Sequence, residues 1–426
     1  MNERVVVTGV GAVTPLGNDV PTIWEGLLNG RSGVGRVQEY DPSGLAVQIA
    51  AEVKGFDARK RLGRKAARRN DRFTVFAMGA AREAIEDAGL RTDGSDALVS
   101  NRVGVLVGTG IGGVLTLLEE YDVLLERGPE RVSPFMIPKL MPNAAAAAIA
   151  IDHDLHGPNF SVNSACATGS HAIGEAAGLI RRGLADVMVC GGADAATHPL
   201  SVSAFANMKA VSTRNDEPER ASRPFDAERD GFVVGEGAGV LVLERLDHAL
   251  ERGANIRAEL IGYGATCDAY HVAAPDEDGD GAARAMEMAL ADAGLSPESV
   301  DYVNAHGTST PLNDPIETQA IRRVFGQHAD RLEVSSSKSM LGHLMGAAGA
   351  VEAIVCVRSL ETGWVHGTMN YENPDPACDL DYVPNEPRES RPNVALSNSF
   401  GFGGHNGCVL LRRWDPAGRS RREGGA

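Results

Sequence analysis

The chain has little of several features that often reveal a protein's class. Its 426 residues include only six cysteines, with no CxxC pair, which argues against a disulfide scaffold or a zinc ribbon. The longest run of small and apolar residues, 144–151, is far shorter than the ~20 residues that a membrane-spanning helix needs. No signal-peptide pattern precedes the strand-like residues 5–8. We therefore expect a cytoplasmic protein with no membrane partner.

Basic charge is also scarce. The 41 Lys and Arg residues are outnumbered by 57 Asp and Glu residues, which gives a formal net charge of −16. Non-specific nucleic-acid binding needs a basic surface, so no nucleic-acid partner is expected. One basic run, residues 59–72, stands out against this acidic background. Such runs are usually solvated helix faces, and the alternative is a patch that docks an acidic partner.

The sequence does contain an internal repeat. Three patterns occur twice, in the same order. They are a glycine-containing strand pattern (7–12 and 260–265), a helix end with the letters DAGL (87–90 and 292–295) and an apolar strand that follows it (103–109 and 300–308). This order predicts a duplicated α/β protein with a mixed, mostly parallel sheet. We expect halves at residues 1–255 and 256–413, followed by a disordered tail at 414–426.

Cys166 lies where a strand-like segment, residues 159–163, passes through small residues into a helix-like segment, residues 172–180. A thiol at the first turn of a helix faces unpaired N–H groups and the helix dipole, which favour the thiolate. A structural buried cysteine is the alternative for this segment alone.

Two histidines lie in turns of the second half. His306 directly follows a strand, and His343 lies in a glycine-rich turn. In a duplicated fold, equivalent strand ends from both halves meet, so Cys166, His306 and His343 are expected to converge. A cysteine hydrolase needs one base, whereas two neutral histidines can donate hydrogen bonds to one enolate oxygen. The GxGxxG pattern at residues 108–113 lacks the acidic residue that a dinucleotide site requires.

Several specific motifs accompany these residues: 164–166, 212–216, 222–226, 230–232, 304–310, 338–343 and 398–404. Together they resemble the β-ketoacyl-acyl-carrier-protein synthases, most closely the type II enzymes of bacterial fatty-acid synthesis. The resemblance implies the thiolase fold, a duplicated five-layered αβαβα arrangement. It also implies an acyltransferase that performs decarboxylative Claisen condensation of an acyl-cysteine with a malonyl group. The alternative is the catalytic ketosynthase subunit of a type II polyketide synthase.

The resemblance assigns catalytic roles to individual residues. It makes Cys166 the nucleophile and places His306 and His343 at the decarboxylation step. It implies that Lys338 polarises the site with Glu317 as its carboxylate partner. A phenylalanine pair is expected to close the site: Phe402 gates it and contributes, with Cys166, a backbone N–H to the oxyanion hole, and Phe400 supports it.

The resemblance also implies what the chain binds. No cofactor is expected, because substrates arrive on the phosphopantetheine arm of an acyl carrier protein. Further positions are implied for the arm (Thr308 and Thr310), the acyl pocket at a homodimer interface (Ile111 and Met136), carrier-protein docking (Arg64, Lys65, Arg68, Arg69, Arg131 and Lys209) and a structural sodium or potassium ion (Asn304, Glu352, Ser397 and Asn398).

Two further alternatives are less consistent with the residues. A thiolase needs a second reactive cysteine in the C-terminal loop, and residues 400–406 contain none. A non-catalytic chain-length factor lacks the nucleophile, whereas Cys166 is present. Acyl chain length is not predicted.

Overall fold

The structure is a computed structural model that describes residues 3–90 and 100–416. Most of the tail that was predicted to be disordered, residues 417–426, lies outside the described residues. Within the described ranges, no helix is long and apolar enough to cross a membrane.

The first half of the chain contains seven strands and nine helices among its described residues. The strands are β1 (Val5–Val13), β2 (Gly35–Arg36), β3 (Ile49–Ala50), β4 (Val103–Gly108), β5 (Asn159–Phe160), β6 (Val187–Asp194) and β7 (Gly237–Arg245). The helices are α1 (Val20–Leu28), α2 (Ala58–Arg69), α3 (Arg72–Asp87), α4 (Val114–Arg127), α5 (Met136–Leu140), α6 (Ala144–His153), α7 (Thr168–Arg181), α8 (Pro199–Asn207) and α9 (Leu246–Glu251).

The second half is shorter. Its strands are β8 (Ala258–Cys267), β9 (Tyr302–Asn304), β10 (Glu333–Ser335), β11 (Trp364–Val365), β12 (Arg388–Glu389), β13 (Val394–Gly401) and β14 (His405–Arg413). Its helices are α10 (Asp280–Ala293), α11 (Asn313–Phe325), α12 (Lys338–Leu341) and α13 (Ala348–Thr362).

Ten strands form one sheet in the order β10-β9-β13-β14-β8-β1-β7-β6-β4-β5. From its centre outward, each half has the same topology: β1-β7-β6-β4-β5 in the first and β8-β14-β13-β9-β10 in the second. β4 and β9 pair with their neighbours in parallel, whereas the other pairs are antiparallel. The duplication read from the sequence is therefore confirmed, whereas the boundary at residue 255 stays a prediction.

Helices cover both faces of each half-sheet. α3 packs on β1, β6 and β7, and α10 packs on β8 and β14. Between the two half-sheets lie α7, against β6 and β14, and α13, against β7 and β13. This gives the five layers of the predicted fold. The middle layer belongs to a buried apolar cluster that draws residues from both halves, so the two halves share one core.

α7 and α13 begin in equivalent ways at the centre of the molecule. Each follows a short 3-10 turn, Ala165–Ala167 or Met345–Ala347, whose first residue has a positive φ (49° for Ala165 and 51° for Met345). Such backbone is rare for residues other than glycine and is typical of functional turns. The helices touch closely, since a Cβ on Gly169 would lie 2.5 Å from the Ala350 nitrogen. This contact places the turn that contains Cys166 beside the second half.

Candidate active site

Cys166 lies in the middle of the turn that enters α7. The turn is buried, and Cys166 is 8% exposed. A side-chain contact supports the turn, because the Ser164 hydroxyl, just before it, lies 2.6 Å from Nδ1 of His171 on α7. His171 Nε2 in turn lies 3.1 Å from the Asn406 carbonyl. Since a carbonyl only accepts, Nε2 carries the proton and Nδ1 accepts from Ser164.

The ionisation state of Cys166 differs from the expectation. Burial raises the pKa of the thiol to about 12, although the Lys338 ammonium and the Phe402 backbone N–H oppose this rise. The predicted preference for thiolate at a helix start is therefore wrong for the resting site. Desolvation of a charge in the centre of the molecule outweighs the helix terminus.

His306 is a buried neutral imidazole with a defined tautomer. Burial and the charge of Lys338 hold its pKa well below the usual range. Lys338 Nζ lies 3.4 Å from His306 Nδ1, and an ammonium can only donate. Nδ1 is therefore the acceptor, and Nε2–H is free to donate.

His343 lies beside His306, with ring centroids 5.5 Å apart. Burial and Lys338 also hold its pKa well below the usual range. Its backbone N–H donates to the Val233 carbonyl at 2.7 Å, and its ring meets the Phe232 ring edge-on. Among the described residues, its Nδ1 has no hydrogen-bond partner. Two neutral imidazoles therefore lie side by side at one cavity.

The carboxylate partner of Lys338 is Glu352, and the predicted partner Glu317 is wrong. Lys338 and Glu352 form an ion pair in which both side chains are 2% exposed. Burial raises the pKa of Glu352, and the Lys338 ammonium opposes that rise. Glu352 is the only acidic residue in the first twelve positions of α13. A lone carboxylate in an apolar helix was the sequence signal for this partner, because an unpaired buried lysine is costly.

Glu317 instead holds the backbone of the His306 turn. Its carboxylate accepts the backbone N–H groups of His306 at 2.8 Å and Gly307 at 2.7 Å. It also accepts from the side-chain amide of Asn398 at 3.1 Å. Burial raises its pKa to about 7, whereas these donors lower it. Glu317 therefore positions His306 and does not contact Lys338.

The β13–β14 turn forms another wall of the site. Phe402 follows β13 directly, and its N–H donates to the Cys166 sulfur. A Cβ on Gly401 would lie 3.0 Å from the Cys166 nitrogen, so the turn lies against the backbone of Cys166. Phe400 packs 5.6 Å from His306 between ring centroids.

These residues enclose a cavity of about 560 Å³. It brings together most of the residues predicted for catalysis and substrate binding: Cys166, His306, His343, Phe400, Phe402, Glu317, Thr308, Thr310, Ile111 and Lys209. The Thr308 and Thr310 hydroxyls lie 2.9 Å apart. Met136, at the start of α5, is not among the lining residues of this chain.

The basic residues predicted for docking are exposed. Four of them lie on α2: Arg64, Lys65, Arg68 and Arg69. Arg131 follows α4, and Lys209 lies at the cavity itself. The Arg69 guanidinium lies over the Phe135 ring at 5.0 Å. In residues 3–90 and 100–416, no carboxylate forms an ion pair with any of the six.

Three of the four residues predicted for a cation have a buried oxygen without a partner. Within the described chain, no hydrogen bond reaches any of these three atoms, which are Asn304 Oδ1, Glu352 Oε2 and Ser397 Oγ. Asn304 and Ser397 are paired across β9 and β13. The Asn398 side chain is engaged elsewhere, with Glu317 and Cys408. No group of three or more His, Cys, Asp or Glu among the described residues could hold a metal.

Two family models match most of the chain. The beta-ketoacyl synthase N-terminal domain matches residues 2–249, and the C-terminal domain matches residues 257–372. The chain belongs to the beta-ketoacyl synthase family.

Similar proteins agree with this assignment. A 3-oxoacyl-[acyl-carrier-protein] synthase 2 of Synechocystis sp. is 52% identical and covers 97% of this chain and 98% of its own. The protein of the same name from Coxiella burnetii is 51% identical, and the match covers 96% of this chain and 99% of the Coxiella protein. A solved beta-ketoacyl synthase from Burkholderia phymatum has a TM-score of 0.89 at 40% identity, and the match covers 97% of this chain and 100% of the Burkholderia chain.

Polyketide enzymes are also similar, at lower identity. A solved complex of a type II polyketide acyl-carrier protein with its ketosynthase has a TM-score of 0.90 at 35% identity and covers 97% of this chain and 100% of its own. The predicted family, fold and condensing acyltransferase class are thus confirmed. The identities favour the fatty-acid function over the polyketide alternative.

Proposed function

We propose that this chain elongates acyl chains by decarboxylative condensation with Cys166 as the nucleophile. The Cys166 thiol attacks the thioester carbonyl of an acyl carrier protein, and the phosphopantetheine thiol leaves with the proton. A malonyl thioester then loses carbon dioxide and becomes an enolate. The enolate carbon attacks the acyl-Cys166 carbonyl, the cysteine sulfur leaves, and a 3-ketoacyl thioester results.

The observation that carries this proposal is the pair of neutral histidines beside the cysteine. The low pKa values of His306 and His343 keep both imidazoles uncharged. Each presents an N–H donor where enolate charge develops, and such preorganised donors are worth most in a buried site. The N–H groups of Cys166 and Phe402 would stabilise the oxyanion of both acyl-transfer steps.

Single substitutions test these roles. Cys166→Ala should abolish acyl transfer from acyl carrier protein, measured by mass spectrometry of the intact protein. Cys190→Ala is the matched control, because Cys190 is also a buried thiol but lies within β6. His306→Ala or His343→Ala should stop release of carbon dioxide and leave acylation of Cys166 intact. Acyl loading of Cys166→Ala at the normal rate would refute the proposal.

We also propose that the exposed basic residues of α2, with Arg131 and Lys209, dock the acidic carrier protein. Lys209 supports this placement because it lies on the cavity and on the surface, so that a docked carrier could extend its arm past Thr308 and Thr310. Reversing the charge of Arg68 should raise the KM for acyl carrier protein and leave the rate with a free pantetheine thioester unchanged. Equal effects on both substrates would contradict docking.

The exposed edge of the ten-stranded sheet could pair with a second copy of this chain. β5 is an edge strand of the ten-stranded sheet, and an unpaired edge readily pairs with another chain. Phe160 on this strand is 40% exposed, and Ile137 and Ile151 nearby in sequence are 59% and 83% exposed. We propose a cytoplasmic homodimer formed on this face. Light scattering of a Phe160→Asp variant should report a monomer, and an unchanged mass would refute this interface.

A monovalent cation would satisfy the three buried oxygens of Asn304, Glu352 and Ser397. Oxygen ligands suit hard cations, so sodium or potassium fits this set. The ion would supply positive charge beside Glu352. Replacing potassium by a bulky organic cation should lower the thermal unfolding temperature, and the Ser397→Ala variant should lose this dependence.

A further inference from the structure

Asp194 is a buried carboxylate to which catalysis assigns no role. It ends β6 and is fully buried. Its Oδ1 accepts from the Thr109 hydroxyl at 2.8 Å and the Ile111 N–H at 3.2 Å. Its Oδ2 accepts from the Gly110 N–H at 2.8 Å and the Gly346 N–H at 2.7 Å. Four donors therefore converge on one side chain.

This arrangement specifies a carboxylate. Both oxygens of Asp194 accept two hydrogen bonds, and an amide has only one oxygen. An asparagine would turn an NH₂ group toward two other donors and leave them unsatisfied in a buried place, which is the costly case. No Lys or Arg in the described part of the chain forms an ion pair with Asp194, so these donors alone hold the charge.

The four donors come from both halves of the molecule. Thr109, Gly110 and Ile111 follow β4, whereas Gly346 lies in the turn that enters α13. The two segments pack through their backbones, because a Cβ on Gly346 would lie 2.4 Å from the Gly110 nitrogen. The side-chain amide of Asn163 also donates to the Thr109 carbonyl. The loop at 109–111 is thereby tied to α13 and to the segment that carries Cys166.

This loop forms a wall of the catalytic cavity. Gly110 and Ile111 line it together with Cys166. The hydrogen bond from the Ile111 N–H to Asp194 ties the backbone of this wall to β6. The position of the Ile111 side chain relative to the nucleophile is therefore set by a carboxylate that does not itself line the cavity.

We infer that Asp194 is a positioning residue for acyl-chain selectivity, which it controls by fixing the Gly110–Ile111 wall beside Cys166. This inference rests on the proposed function, in which the acyl chain is carried on Cys166. Without the carboxylate the wall is free to move outward, and long chains that the fixed wall restrains gain access. Decarboxylation, which depends on His306 and His343, does not require this wall.

The test compares acylation of Cys166 by long-chain and short-chain acyl carrier proteins, followed by mass spectrometry of the intact enzyme. Asp194→Asn should raise the long-to-short ratio of acylation rates about tenfold, as expected for the loss of a hydrogen bond to a charged group. Thr109→Val removes one donor and should raise the ratio less. Thr109→Ser keeps the hydroxyl and should restore the ratio. Carbon dioxide release from a malonyl thioester is measured on the same variants, and it should change less than the long-to-short ratio does.

The matched control is Thr116→Val. The Thr116 hydroxyl is also buried and donates to a buried carboxylate, Asp71, at 2.6 Å, but neither residue lines the cavity. This variant should lose stability and keep the wild-type ratio. The inference is overturned if Asp194→Asn and Thr109→Val leave the ratio unchanged, or if Thr116→Val shifts it equally. If Asp194→Asn does not fold, Thr109→Val decides.

The two proposals fail in different ways. If the unsubstituted enzyme does not acylate Cys166, the proposed function and this inference both fail. If it does acylate Cys166 and the ratio is insensitive to Asp194 and Thr109, only the inference fails.

Discussion

The buried pair of Lys338 and Glu352 allows a quantitative test of the site. Both side chains are 2% exposed, and they lie 14 positions apart in sequence. Removing one partner of such a pair leaves a charge in a desolvated place, which costs about 3–5 kcal/mol of folding free energy. Lys338→Met and Glu352→Gln should each approach this cost. The double variant removes both charges, so its destabilisation should be smaller than the sum.

The measurement is a double-mutant cycle of unfolding free energies from urea titration. For a contacting buried pair we expect a coupling of about 2–3 kcal/mol, near the top of the range for neighbouring residues. The matched control is the cycle of Lys338→Met with Glu317→Gln. Glu317 is equally buried but bonds to the backbone of His306 and Gly307. Its coupling to Lys338 should be smaller than that of Glu352, because the two residues are linked only through His306.

The reasoning is refuted by either of two results. One is an additive Lys338–Glu352 cycle, which would mean that the two charges do not interact in solution. The other is a larger coupling of Lys338 to Glu317 than to Glu352, which would restore the pairing expected from the sequence. Circular dichroism of each variant checks that the native fold persists.

Other predictions concern ionisation and the His306 turn. Lys338→Met should raise the pKa values of His306 and His343, because the Lys338 ammonium lowers both. The acid limb of the pH profile of the decarboxylation rate should then move to higher pH. Unchanged pKa values in ring-proton NMR titrations of the two histidines would contradict this. Alkylation of Cys166 by iodoacetamide should rise roughly tenfold per pH unit through pH 9, since its pKa is about 12; a plateau below pH 9 would contradict a desolvated thiol. Glu317→Gln should cost about 1–3 kcal/mol of unfolding free energy, because its NH₂ group faces a backbone N–H, and it should slow decarboxylation more than acylation.

Much of the fold was predictable because the sequence repeats itself. The paired patterns at residues 7–12 and 260–265 fall on β1 and β8, and the two helix ends at 87–90 and 292–295 fall at the ends of α3 and α10. Strand and helix periodicity is local, and duplication then dictates that both halves have one topology. Ten of the residues that line the cavity were also expected from the sequence, because their motifs are distinctive.

The charge states of the buried residues and the partners of their ion pairs were harder to predict from the sequence. The thiol of Cys166 was expected to ionise, whereas burial keeps it protonated. Glu317 was expected to pair with Lys338, whereas Glu352 does. Asp194 carried no expectation at all, because a single acidic residue at a strand end does not reveal which donors will surround it.

Local patterns in the sequence were enough to predict the duplicated α/β fold and the set of Cys166, His306 and His343, because strand-to-turn patterns and side-chain chemistry do not depend on remote segments. The packed molecule was needed to show which carboxylate neutralises Lys338, which nitrogen of His306 carries the proton and what Asp194 holds. These properties depend on desolvation and on distances below about 4 Å between segments that are remote in sequence, and those distances exist only when the two halves are packed together.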